Sequence, residues 1–259
     1  MASSACGRKH GSERRLDAAD RWLPERLRLR PHQEPTCVNT GEESAPLVER
    51  WNGSRWSIVR TPASVRARYS PLGPGVACAD SSDCWVVGGT YTSKLGQRTL
   101  VEHWDGSHWS VVRSPNGQGS YLVGIACSDA SMCMAVGAGS TNVLQSLAEE
   151  WNGSTWSIVS SPSGGQLLGV ACSNAAACMA VGGTGDGGAS SEQWNGQKWS
   201  LREVLSPAAA VPYSVSLSDV VCPSISDCTA VGNYSSTSSH GLYGLIEHCD
   251  GSEWSIIQS

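Results

Sequence analysis

Eleven cysteines and eleven tryptophans are the residues of this 259-residue chain whose chemistry asks for an explanation. Eight cysteines fall into pairs with one spacing: Cys78/Cys84, Cys127/Cys133, Cys172/Cys178 and Cys222/Cys228. Paired thiols can hold a metal or close a disulfide. Structural zinc sites usually place two residues between paired thiols and add a second pair or histidines nearby. Here five residues intervene and no histidine recurs beside them, so the pattern fits disulfides better. Disulfides imply an oxidising compartment, secreted or otherwise extracytoplasmic. The tryptophans recur as well. Trp51/Trp56, Trp104/Trp109, Trp151/Trp156 and Trp194/Trp199 flank an Asn-Gly or Asp-Gly, and Trp254 ends a fifth copy in which Cys249 takes the first position. Indoles beside a turn can stack on a sugar, join an active site or pack. Recurrence in every copy favours packing.

A glutamate precedes each first position by two residues: Glu49, Glu102, Glu149, Glu192 and Glu247. A catalytic group has no reason to appear five times. These read as structural acceptors, for a tryptophan N–H or a neighbouring strand. A glycosidase needs two placed carboxylates. Asp186, Glu203 and Asp219 are isolated candidates without a constellation around them. No Gly-x-Ser-x-Gly elbow is present. The histidines (His10, His32, His103, His108, His240, His248) are scattered, and His103 and His248, which share a repeat position, read as surface. No catalytic, cofactor-binding or metal residue is assigned, and no cofactor is expected. The chain reads as non-enzymatic; a glycoside hydrolase or sialidase-like enzyme is the alternative.

The elements that position these residues follow from the repeat. The cysteine block reads GVACADSSDCWVVGG from Gly75, GIACSDASMCMAVGA from Gly124, GVACSNAAACMAVGG from Gly169 and DVVCPSISDCTAVGN from Asp219. Its first cysteines lie 49, 45 and 50 residues apart, a period of solenoids and propellers. Each repeat holds four short strand-like runs, for example 122–127, 133–138, 147–151 and 156–160, separated by turn residues. Four strands in that length make a propeller blade. The cysteine pair brackets the first hairpin, where antiparallel partners come close enough to bridge. The Val-Gly that follows suggests a strand end approached by another backbone. Asn-Gly between apolar flanks suggests a two-residue hairpin turn. That turn would pair Trp151 with Ser154 and Glu149 with Trp156, making the two tryptophans diagonal neighbours on one face.

The ordered alternation of C-x5-C-x-x-V-G with E-x-W-[ND]-G-x-x-W-S resembles repeats of uncharacterised secreted proteins from actinobacteria and other soil bacteria that look like β-propellers. It is more distantly similar to the Asp-box hairpins of sialidase-like propellers, though the residue between Asp and Gly is missing here. The resemblance implies a structural rather than catalytic role for the hairpin. It covers residues 37–259.

Cys37 and Gly41 keep the spacing of the second cysteine and its glycine, so residues 37–62 read as a partial blade, followed by blades at 72–115, 121–162, 166–207 and 214–259. The all-β chain is thus expected to form four full blades plus a partial N-terminal one, closing imperfectly or belonging to a larger propeller. Upstream, where Pro31 occupies the expected cysteine position, the pattern is gone. Residues 1–36 read as a disordered or non-native leader without a signal-peptide core. A Cys6–Cys37 bridge is compatible with the count.

Composition limits the partners. Residues 1–36 hold eight of the eighteen Lys and Arg and five of the twenty-three acids, leaving a net −8 on the remainder. That body carries no electrostatic footprint for nucleic acid. No apolar run is long enough for a membrane span. The loops between second and third strands, such as GTYTSKLGQRT from Gly89 and NYSSTSSHGLYG from Asn233, are polar and variable. The expected role is binding or scaffolding by a monomer, with a protein or carbohydrate partner.

Overall fold

Strand-forming residues alternate with tight turns along the whole repeat, and the result is five antiparallel sheets. The computed structural model describes residues 3–6, 37–41, 47–62, 75–92, 96–115, 119–140, 144–162, 164–208, 210–236 and 241–258. Blade 1 comprises β1 (Ser3–Cys6), β2 (Cys37–Gly41), β3 (Leu47–Trp51) and β4 (Trp56–Val59). Blade 2 comprises β5 (Gly75–Asp80), β6 (Asp83–Thr92), β7 (Gly96–Trp104) and β8 (Trp109–Val112). Blade 3 comprises β9 (Ser120–Asp129), β10 (Met132–Ser140), β11 (Leu144–Trp151) and β12 (Trp156–Val159). Blade 4 comprises β13 (Gly165–Asn174), β14 (Ala177–Thr184), β15 (Ala189–Trp194) and β16 (Trp199–Arg202). Blade 5 comprises β17 (Ala210–Ser224), β18 (Asp227–Ser236), β19 (Leu242–Cys249) and β20 (Trp254–Gln258). Every blade is a four-stranded meander in chain order. The first strands of consecutive blades pack against one another, β1 on β5, β5 on β9, β9 on β13 and β13 on β17. This is the propeller arrangement expected from the repeat. Among the described residues no helix is long and apolar enough to cross a membrane.

The core lies between blades rather than within them. Trp85 and Val87 of blade 2 pack with Cys133, Ala135 and Trp156 of blade 3. Met134 and Val136 of blade 3 meet Cys178, Trp194 and Trp199 of blade 4, and Met179 and Val181 of blade 4 meet Cys228, Cys249 and Trp254 of blade 5. One face of each sheet therefore supplies a valine beside a large side chain (Trp85, Met134 or Met179), and the opposite face of the next supplies the bulky indole of its fourth strand. Burying such a ring is a large apolar contribution, which compensates for the lack of Phe.

Three local expectations are corrected. The N-terminal stretch taken as a leader contains β1, which pairs with β2 in the register Cys6↔Cys37. Residues 37–62 do supply a partial, three-stranded blade, and Ser3–Cys6 adds its first strand. The physical reason is that β2 would otherwise leave a row of backbone donors and acceptors unpaired at its inner edge. Residues 7–36, between these strands, lie outside the described residues. The tryptophan turn is also longer than expected. Trp151 stands directly opposite Trp156, with Glu149 opposite Ile158, across a four-residue loop. The Asn152 side chain accepts the backbone N–H of Ser154 and of Thr155 at 3.0 Å each, and Gly153 takes positive φ, at 87°. An Asx turn of this kind uses a single carboxyl or amide oxygen, so Asp105 and Asp250 serve as well as Asn52, Asn152 and Asn195. Finally, the Val-Gly glycine is not at a strand end. Gly137, Gly182 and Gly232 sit inside β10, β14 and β18, beside register shifts. A Cβ there would lie 2.0 Å from the carbonyl oxygen of Tyr121, Gln166 or Ser216 on the adjoining strand, so the close backbone approach was rightly expected and the strand end was not.

Candidate functional site

The recurring glutamates of the third strands, Glu102, Glu149, Glu192 and Glu247, are fully buried. The Ser114 hydroxyl, just beyond blade 2, donates to Glu149 of blade 3 at 2.7 Å. Ser161, just beyond blade 3, lies 2.7 and 2.9 Å from the two carboxyl oxygens of Glu192 in blade 4. Each serine also meets a hydroxyl of its own blade, Thr99 at 2.7 Å for Ser114 and Ser146 at 2.6 Å for Ser161. Glu149 and Glu192 are thus acceptors, from a hydroxyl that follows the preceding blade rather than from a tryptophan N–H or a strand backbone. Burial raises Glu149 to about 7, partly opposed by the Ser114 bond. Glu247 is raised to about 7 by burial alone, and among the described residues neither of its oxygens has a hydrogen-bond partner. The cause is legible in sequence. Ser114 and Ser161 each follow the second tryptophan by five residues, and Val204 holds that place before blade 5.

The cysteine pairs Cys78–Cys84, Cys127–Cys133, Cys172–Cys178 and Cys222–Cys228 are disulfides, with Cα atoms 4.0 to 4.1 Å apart. Among the described residues no group of three His, Cys, Asp or Glu side chains is placed to hold a metal ion. Cys249 is a buried free thiol in the tryptophan position. The first-position indoles of blades 3 and 4 tie the two turns of their own blade together: Trp151 donates to the Ala130 carbonyl and Trp194 to that of Ala175, both at 3.2 Å. Trp109, Trp156, Trp199 and Trp254 are buried in the cores between blades.

The isolated acids are spread over three elements. Asp186 lies in the β14–β15 loop and is bonded to Thr184, which lowers its pKa; Glu203 follows β16; Asp219 lies within β17. No hydrogen bond joins any two of them. His103 is half-buried rather than a plain surface residue. Its Nε2 lies 2.8 Å from Asp83, and its ring stacks on Trp85 at 4.1 Å. His248 repeats the pairing with Asp227 at 3.1 Å.

Another arrangement was not expected from the motifs. At the end of the blades that carries the second-to-third strand loops, Tyr121, Gln166 and Ser216 hold one position on the first strands of blades 3, 4 and 5, each directly before a buried leucine. All three are half-buried. The Tyr121 hydroxyl donates to Gln166 Oε1 at 3.1 Å, linking blades 3 and 4. Tyr121 also lies against Gly89 of blade 2, where a side chain would meet both it and the Gln97 amide. Desolvation raises the Tyr121 pKa, so the ring keeps its proton and can donate. The result is a row of amides, hydroxyls and one aromatic ring along the inner strands. The sequence signal was a polar residue before a recurrent leucine (Tyr121-Leu122, Gln166-Leu167, Ser216-Leu217), less visible than the intact Trp motif.

No family model matches the chain, and no curated protein matches it in sequence. Solved structures share its fold. A fucose-specific lectin from Aleuria aurantia, described as a six-bladed β-propeller, superposes with a TM-score of 0.55 at 11% identity, over 100% of this chain and 78% of the lectin. The SapL1 lectin, solved with α-methyl fucoside, gives 0.57 at 14% identity, over 87% of this chain and 75% of that one. These similarities show the propeller fold.

Proposed function

We propose that the protein is a non-catalytic, extracytoplasmic carbohydrate-binding propeller, with its ligand seated on the polar row of Gln97, Tyr121, Gln166 and Ser216. The observation that carries this reading is the Tyr121–Gln166 bond, which holds an aromatic ring and an amide together at a half-buried position where two blades meet. Sugars offer hydroxyls for amides and hydroxyls to bond, and C–H faces for a ring to cover, and binding sites are concave regions with a few convergent polar groups. The row carries no charged group, which suits a neutral saccharide. The lectin neighbours support the reading through their fold, and the four disulfides support a location outside the cytoplasm. Against catalysis, the recurring glutamates of blades 2 to 5 are enclosed, two of them holding blades together, and the isolated acids are on separate elements.

A glycan array, followed by calorimetry with the monosaccharides it selects, tests this. Tyr121→Ala and Gln166→Ala should each weaken saccharide binding at least tenfold while leaving the β circular-dichroism spectrum unchanged. A folded protein that retains no glycan, or binding indifferent to both substitutions, would overturn the assignment.

A further inference from the structure

The chain contains several copies of one interface between consecutive blades and two halves of it that are uncovered. On the covering side, Trp109, Trp156, Trp199 and Trp254 are 4 to 6% exposed, each lying against the preceding blade, whereas Trp56 of blade 1 is 43% exposed. On the covered side, Val87, Val136 and Val181 are wholly buried beneath the following blade, whereas Val231 of blade 5, at the same offset from its cysteine, is 45% exposed. Val221 follows the same rule at 61%, in the place of Ala77, Ala126 and Ala171. Glu49 of blade 1 is half-buried where its four counterparts are enclosed. Among the described residues, therefore, blade 5 does not cover blade 1, and the five blades form an open arc. Its two ends are complementary, since one presents the indole face and the other the valine face. The arc superposes over its full length on a six-bladed ring.

We infer that the opening docks one further blade of the same repeat, a four-stranded sheet of about 45 residues. Its tryptophan hairpin would rest on Val221, Thr229, Val231 and Ile246 of blade 5, and its valine face would cover Trp51 and Trp56. The internal interfaces define this occupant: within this chain, a face with valine three residues after the second cysteine is covered by a tryptophan hairpin. A second whole copy fits the opening less well, because its following blades would overlap blade 1. Asp219 departs from the internal interfaces, as do Val221 in the place of an alanine and Thr229 in the place of Trp85, Met134 and Met179. Gly75, Gly124 and Gly169 hold the Asp219 position in blades 2 to 4, and a Cβ on any of them would come within 2.4 to 2.8 Å of the next inner strand. The incoming strand must accommodate the Asp219 side chain, so Asp219→Gly should tighten the fit.

The test appends a copy of residues 120–162 after Ser259 and compares this six-blade protein with the parent by hydroxyl-radical footprinting, which reads each tryptophan on its own peptide. In the parent, Trp56 should oxidise several-fold faster than Trp109. In the six-blade protein it should fall to the Trp109 rate and the melting temperature should rise, further with Asp219→Gly and not at all with Val231→Asp. Should the appended protein fail to fold, single variants of the parent decide whether the face is open: Val231→Asp should leave the melting temperature almost unchanged, and Val181→Asp should unfold the chain. A parent whose Trp56 is as protected as Trp109, a Trp56 rate indifferent to the added blade, or sedimentation showing that a second copy covers Trp56 would each overturn the inference.

Discussion

Glu247 shows how one residue can carry a pH dependence for the whole chain. Its neighbours in the repeat are bonded by a serine of the preceding blade, and Glu247 is not, because Val204 stands at that place. A carboxyl moved by burial from 4.5 to about 7 keeps its proton in the folded chain after the unfolded chain has lost it. The folded state then binds more protons between those values. Stability is fully present below about 4.5, falls as pH rises towards about 7, and levels off above. Glu247→Gln removes this dependence. From pH 4 to pH 8 its stability relative to the parent should shift in its favour by up to about 3 kcal/mol, measured by urea unfolding at each pH. Val204→Ser, which restores a hydroxyl, should move the same window to lower pH. A parent and Glu247→Gln variant with parallel pH profiles would rule the mechanism out. Burial raises Glu149 as well, so some dependence on pH should remain.

At the level of the element, the tryptophan hairpin depends on one oxygen. Asn52, Asp105, Asn152, Asn195 and Asp250 each accept the two backbone N–H groups that close the loop. Where the acceptor is Asp250, the Ser252 hydroxyl and the N–H groups of Glu253 and Ser252 hold its carboxyl at about 2. Asn152→Asp should therefore keep the turn, and Asn152→Ala should cost about 1 kcal/mol or more, as loss of a comparable cap does. Chemical denaturation of the two variants separates them; equal losses would show that the side-chain oxygen does not close the turn. The first hairpin uses the same device, with Asp80, Asp129 and Asn174 accepting from Ser82, Ser131 and Ala176. The repeated disulfides and tryptophans make both hairpins legible without coordinates. The turn length was not, because Asn-Gly suits both a two-residue turn with two positive φ values and a longer loop in which the glycine has one.

For the whole molecule, the thiol inventory reports on the arrangement of blades. Among the described residues four disulfides use eight cysteines, and Cys249 is free. On backbone register Cys6 stands to Cys37 as Cys78 stands to Cys84. Alkylation of the unreduced, unfolded chain should then label at most three of the eleven cysteines, Cys249 among them. Three labelled thiols would show Cys6 and Cys37 unbridged, and eleven would overturn the oxidised reading. The strand at Ser3–Cys6 had a sequence signal that spacing concealed: Ala5-Cys6 matches Ala77-Cys78, Ala126-Cys127 and Ala171-Cys172, but lies 31 residues rather than 6 before its partner. A period is detected only when the intervening length is preserved, whereas a sheet accepts a strand from any distance that the chain can span.

The all-β repeat, the pairing of eight cysteines and the size of a blade were determined by the sequence alone. Each depends on residue type and local spacing, which strand alternation and hairpin closure translate directly into structure. Only the tertiary structure decided that Ser3–Cys6 belongs to blade 1, that serine hydroxyls reach the glutamates of the next blade, that Tyr121 and Gln166 meet, and that Trp56 and Val231 remain uncovered. These depend on how sheets stack around an axis. The contacts join residues about 30 or more positions apart, across the faces of different sheets, and no single repeat encodes them.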